Sequence, residues 1–127
     1  ILIYAHDRDA GEKRERAART LEGLWNDRNG RLSVQVLQEF YVTVTQRLAT
    51  AQAAAREVMR TYAPWVQQQT TPATVLRATE IGELAKISFW DALIVAAAEQ
   101  AGATEIYTED LNAGQTIVGV RIVNPLA

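Results

Sequence analysis

Apolar residues recur along this chain at two spacings, and the alternation predicts helices interspersed with short strands. The opening run ILIYA (1–5) is apolar throughout and reads as a strand on composition alone. A turn-like DRDAG follows. Ala17, Ala18, Leu21, Leu24 and Trp25 then fall at helical spacing, and Asn29-Gly30 supplies the stop. RLSV (31–34) reads as a short strand. The next segment carries β-branched residues that favour a strand. Val36, Leu37, Phe40, Val44 and Leu48 nevertheless trace one helical stripe, and its length selects a helix. Residues 51–65 form a further helix broken at Pro64. Gln67 to Thr71 is polar, a connection or a short edge strand. Residues 71–86 make a helix with Pro72 at its first position, and 88–102 the most apolar helix, with Ser88 as N-cap and Gly102 at its end. ATEIYTED is a strand ending in acids, and GQTIVGVRIVNP closes with one or two short strands.

Helices alternating with strands predict an α/β fold with a mostly parallel central sheet flanked by helices. Functional loops in such sheets lie beyond the carboxyl ends of the strands, where Asp110 follows EIYT. No repeat, low-complexity tract or linker interrupts the chain, so one domain over 1–127 is expected.

Composition narrows the chemistry. With 127 residues, 48% of them apolar and 22% charged, the chain has the material for a proper core. It has no cysteine, which excludes disulfides, thiolate metal sites and thiol nucleophiles. The single histidine, His6, excludes a multi-histidine zinc site, and its place at the N-terminal end argues against a Ser-His-Asp triad. A net charge of −2 is too small for a bulk electrostatic grip on nucleic acid, so any such role is local. No apolar run approaches the ~20 residues needed to span a bilayer, and no signal peptide is visible. The expected compartment is the cytoplasm. The chain begins at Ile1 rather than Met, which leaves an upstream leader open.

Three acids stand in or beside apolar elements: Glu39, Asp91 and Asp110. Converging carboxylates with few cations nearby suit a hard divalent ion such as Mg²⁺ or Mn²⁺. Each acid also has a plainer role. Asp91 completes the Ser-x-x-Asp spacing of a capping box and complements the helix dipole. The apolar helix behind it is expected to be buried, with its N-terminus opening where the strand carrying Asp110 ends. Asp110 suits a chain reversal, and Glu39 suits a solvated face paired with an arginine. Asp7 and Asp9 read as loop acids, EKRERAAR as a solvated face, and Trp25, Trp65 and Trp90 as core or interface anchors. The glycine spacing matches neither a dinucleotide-binding fingerprint nor a P-loop.

Segment 88–125, with its S-x-x-D-A-L-I-V-A-A-A helix, its strand ending Y-T-E-D-L and the closing N-P, closely resembles PIN-domain ribonucleases of the VapC toxin type. SVQVLQEFY resembles the family segment that carries a catalytic glutamate. ILIYAHD resembles the stretch after the family's first catalytic aspartate. The resemblance covers essentially the whole chain. It implies a PIN-like three-layer fold, ILIYA as a short helical segment after the first strand, and Glu39, Asp91 and Asp110 as catalytic, metal-holding acids. Thr108 matches a polar position on the substrate side. The family's first aspartate would stand in an Asp-Thr-Asn or Asp-Ser-Asn motif directly before Ile1. Ala113 departs from relatives that often carry a polar residue there.

The implied function is a Mg²⁺- or Mn²⁺-dependent endoribonuclease, the toxin of a toxin–antitoxin pair. Its partners would be an RNA substrate, a VapB-like antitoxin and a second copy in a homodimer. The competing expectation is a degenerate PIN domain that binds protein or RNA without cutting. An aspartyl-nucleophile phosphatase would need an acid and loop after the first strand that this chain does not show.

Overall fold

The computed structural model describes residues 1–127 and comprises helices α1 (Leu2–Ala5), α2 (Glu12–Asp27), α3 (Val34–Gln46), α4 (Gln52–Tyr62), α5 (Pro72–Ala85) and α6 (Phe89–Gln100), with strands β1 (Glu105–Tyr107), β2 (Thr116–Ile117) and β3 (Val120–Val123). A single 3₁₀ turn, Ala63–Trp65, follows α4 where Pro64 interrupts the helix. The chain divides into two compact units, Ile1–Val66 with Pro125–Ala127, and Gln67–Asn124. No helix is long and apolar enough to cross a membrane.

In the first unit, ILIYA is a helical turn and not the strand its composition suggests: the Ala5 N–H bonds the Ile1 carbonyl. A run this short carries no period that separates the two structures. RLSV likewise forms no strand. Ser33 caps α3, its Oγ accepting from the Val36 N–H, and the Leu32 N–H reaches the Trp65 carbonyl. The cap takes Val34 into the helix and leaves too few residues for a ladder. Helix α2 ends at Arg28 in the left-handed conformation, the residue just before Asn29-Gly30, with the Arg28 and Asn29 N–H groups bonding the Trp25 and Leu24 carbonyls. The stripe on α3 packs as expected, with Phe40 and Val44 buried beside Leu2, Leu21 and Ala55.

Gly30 is buried against the Trp65 ring, and a Cβ built there would lie 2.7 Å from two of its carbons. That ring cannot easily yield: it packs edge-on to Tyr62 at 5.0 Å and against Trp25 at 5.6 Å. Gly30→Ala is therefore expected to cost about 1–3 kcal/mol by overpacking. A lowered melting temperature with altered tryptophan emission is the expected reading, and an unchanged melt would contradict it.

The second unit packs α5 and α6 on a three-stranded sheet of order β1-β3-β2. β1 and β3 are parallel, Ile106 opposite Ile122, whereas β2 returns antiparallel to β3. Val118 and Gly119, both at positive φ, make the two-residue turn between β2 and β3. The core joins Ala78 and Ile81 of α5, Ala92, Val95 and Ala96 of α6, and Ile106, Ile117, Val120 and Ile122 of the sheet. Thr71 and Thr74 cap α5 reciprocally, with Pro72 in the first turn as expected.

Arg77 binds both oxygens of Glu99, at 2.9 and 3.0 Å, and so ties α5 to α6. The Arg77 hydrogen bonds hold the Glu99 carboxyl below its ordinary range. A depressed folded-state value means the pair's stabilisation is present above about pH 4.5 and is lost as pH falls through the folded value. Glu99→Gln should therefore lower the melting temperature at pH 7, and the gap from the parent should close below pH 4. A pH series of thermal melts checks this; a gap constant with pH would sink it.

Candidate active site

Glu39 lies on the exposed face of α3, one position from buried Phe40. Its Oε1 accepts a hydrogen bond from Gln35 Nε2 at 3.1 Å, one helical turn earlier. The expected arginine partner is therefore replaced by a neutral donor, which leaves the carboxylate's charge uncompensated.

Asp91 sits in the first turn of α6. Ser88 caps this helix with its Oγ, which accepts from the Asp91 backbone N–H at 3.1 Å. The Ser-x-x-Asp spacing thus acts through the serine side chain and the aspartate backbone. The Asp91 carboxylate, half-buried, still complements the helix dipole. The helix is less enclosed than its composition suggests, because Phe89 and Trp90 at its start are exposed, Trp90 to 64%. Ala92, Val95 and Ala96 alone on this helix are buried.

Asp110 is exposed just beyond the carboxyl end of β1, where its N–H bonds the Thr108 hydroxyl at 3.1 Å. The Thr108 N–H in turn reaches the Val123 carbonyl at 3.0 Å, extending the parallel pairing past the strand. Thr108 therefore fixes where the Asp110 loop leaves the sheet.

The topology places Asp91 and Asp110 at one end of the second unit. Helix α6 runs 12 residues, about 18 Å, and the chain then reverses through Ala101–Thr104 into β1. The helix packs on β1 and β3, so its N-terminus lies toward the end where β1 finishes. Neither aspartate has an ion-pair partner within 4.0 Å.

Oxygen-only donors match a hard divalent ion in kind. In number they fall short: no group of three or more His, Cys, Asp or Glu side chains comes close enough to hold a metal ion. Residues 1–127 thus offer carboxylates of the right chemistry without a completed cage.

One cluster escaped the sequence reading. His6, Arg8 and Arg14 line a cavity in the first unit. Arg14 lies in EKRERAAR, whose mixed charge reads as a solvated face, and only the fold brings it beside His6.

A small sheet with a parallel pair, helices before it, and acids at a helix start and a strand end define an α/β protein of the acid-site kind. The PIN domain family matches over residues 1–116, and the chain belongs to that family. PIN domains are generally nucleases and commonly use divalent metals. No curated protein matches the chain.

Proposed function

We propose that this PIN domain is a divalent-cation-dependent endoribonuclease of the VapC type, the toxin of a toxin–antitoxin pair. The observation that carries the reading is the Asp91–Asp110 arrangement: two carboxylates at one end of the second unit, neither paired with a cation, one of them at a helix start whose cap is made by Ser88. Capping does not need the Asp91 carboxylate, which leaves it available for chemistry.

In this reading Asp91 and Asp110, with Glu39 as the further ligand that the resemblance implies, would hold Mg²⁺ or Mn²⁺. Such an ion, when bound, neutralises phosphate charge and lowers the pKa of a water. The residues' own work is to position and to accept. Thr108 fixes the Asp110 loop, and Glu39 orients the attacking water. The water oxygen forms a bond to phosphorus, the bond from phosphorus to the 3′ oxygen breaks, and the proton passes to that oxygen. The products carry 5′-phosphate and 3′-hydroxyl ends.

Exposed apolar residues of the second unit support the proposed protein partners, a VapB-like antitoxin and a second copy. Leu76 and Leu84 lie on one face of α5, with Leu84 72% exposed, and Phe89 and Trp90 pack ring to ring at the start of α6. Phe40, a member of the helical stripe on α3, is only 1% exposed and serves the core.

The test is cleavage of labelled single-stranded RNA by the full open reading frame product with Mg²⁺ or Mn²⁺, with EDTA as control. Metal-dependent cutting supports the reading. The absence of a three-carboxylate cluster favours the second reading, a degenerate PIN domain that binds protein or RNA without cutting. That reading requires no divalent binding near Asp91, which a titration followed by NMR decides.

A further inference from the structure

The first unit contains a cavity of about 250 Å³ that the nuclease site does not use. Its polar wall is His6, Arg8, Arg14 and Thr50, and its floor includes Val44, Ala55 and Val58. Arg8 and Arg14 form no ion pair within 4.0 Å, unlike Arg16, Arg60 and Arg77. Asp7, next to Arg8, instead accepts the Asp9 N–H. Two guanidinium groups without carboxylate partners, on the wall of one cavity, leave their donor forks free for a ligand anion.

The imidazole of His6 packs edge-on to Phe40 at 5.7 Å, which fixes its orientation, and the residue keeps an exposed face. Burial on the packed side, with the nearby Arg14 charge, lowers its pKa. A neutral aromatic face beside unpaired arginines is the combination on which nucleic-acid bases stack while phosphates are held. At about 250 Å³ and partly open to solvent, the cavity can take part of one nucleotide, with the remainder left outside.

We propose that this cavity is a nucleotide site: Arg8 and Arg14 take the phosphate and His6 stacks on the base. The assignment rests on the ribonuclease reading, in which it would seat one nucleotide of the RNA. It also resolves how a chain of net charge −2 holds a polyanion locally.

Calorimetric titration of the full-length protein with adenosine 5′-monophosphate and with inorganic phosphate, both in EDTA, tests it. The nucleotide should bind at least ~10-fold tighter than inorganic phosphate. Arg8→Ala and Arg14→Ala, both at exposed positions, should each weaken both probes about 10-fold, the discrimination expected of one good charged contact. His6→Ala should weaken the nucleotide alone. Equal binding of the two probes, no binding, or binding indifferent to both arginines would overturn the site. Asp91→Asn should leave nucleotide binding intact. Failure of RNA cleavage with nucleotide binding retained would thus remove the nuclease reading and spare the site, and the converse result would remove the site alone.

Discussion

Asp91→Asn is expected to cripple RNA cleavage while α6 stays folded. The expected loss is on the order of 10²–10³-fold, the scale of removing one preorganised electrostatic group from a reacting centre. Asparagine keeps the backbone N–H that the Ser88 hydroxyl binds at 3.1 Å, so the cap survives. Only the charge disappears, and a charge in the first turn contributes about 0.3–1 kcal/mol to the helix. The two roles of Asp91 therefore separate cleanly. If dipole complementation were its whole role, the variant would lose a degree or two of thermal stability and cut RNA normally. Ser88→Ala is the matching control: it removes the cap, costs about 0.5–2 kcal/mol, and leaves the carboxylate in place. Cleavage rates and melting curves for both variants beside the parent give the comparison. A cleaving Asp91→Asn protein would end the assignment.

Phe40→Ala should be the most damaging substitution in the first unit. Phe40 is 1% exposed and the largest fully buried side chain, and it touches a core of only five buried residues, Leu2, Leu21, Phe40, Val44 and Ala55. Truncation of such a phenylalanine costs about 3–5 kcal/mol. Against a total of about 5–15 kcal/mol for a typical domain, that places the unit near its unfolding midpoint. The residues around it, among them Ile3, Leu48, Met59 and Tyr62, are only partly buried and already engaged with the same core, so they fill the void incompletely. Denaturant unfolding followed by emission of the Trp25–Trp65 pair, which lies in this unit, provides the measurement. A midpoint within experimental error of the parent would show that the core collapses around the gap.

Where a periodic pattern was long, the sequence was legible. The helical stripe of α3 overcame the β-branched content of YVTVT (41–45), and Phe40 and Val44 pack where the spacing put them. Thr71, Pro72 and Ser88 announced the starts of α5 and α6 through side-chain chemistry that works within one turn. The short runs misled. ILIYA and RLSV have strand composition, yet one is a helical turn and the other a cap with its approach, because each is too short for a period to form. Resemblance to the PIN family corrected the first of these and not the second. At the site, Asp91 and Asp110 were placed at a helix start and a strand end, as expected. Their environment was not legible: exposure of Trp90 depends on packing between elements that are distant in sequence, and the neutral Gln35 partner of Glu39, one turn away on the same helix, depends on side-chain conformation that spacing alone does not fix. The Arg8–Arg14–His6 cavity was hidden for the same reason, since charge runs carry no record of which side faces inward.

Leu126 is buried, and its carbonyl accepts a hydrogen bond at 2.8 Å from Arg16 of α2. The first unit is thus assembled from residues up to Val66 and from a stretch that returns at Pro125. During synthesis, roughly sixty residues separate the two, about 3–12 s of elongation at cellular rates. Throughout that interval Arg16 lacks its acceptor, so the nascent first half is held short of its final state until the ribosome has passed residue 126.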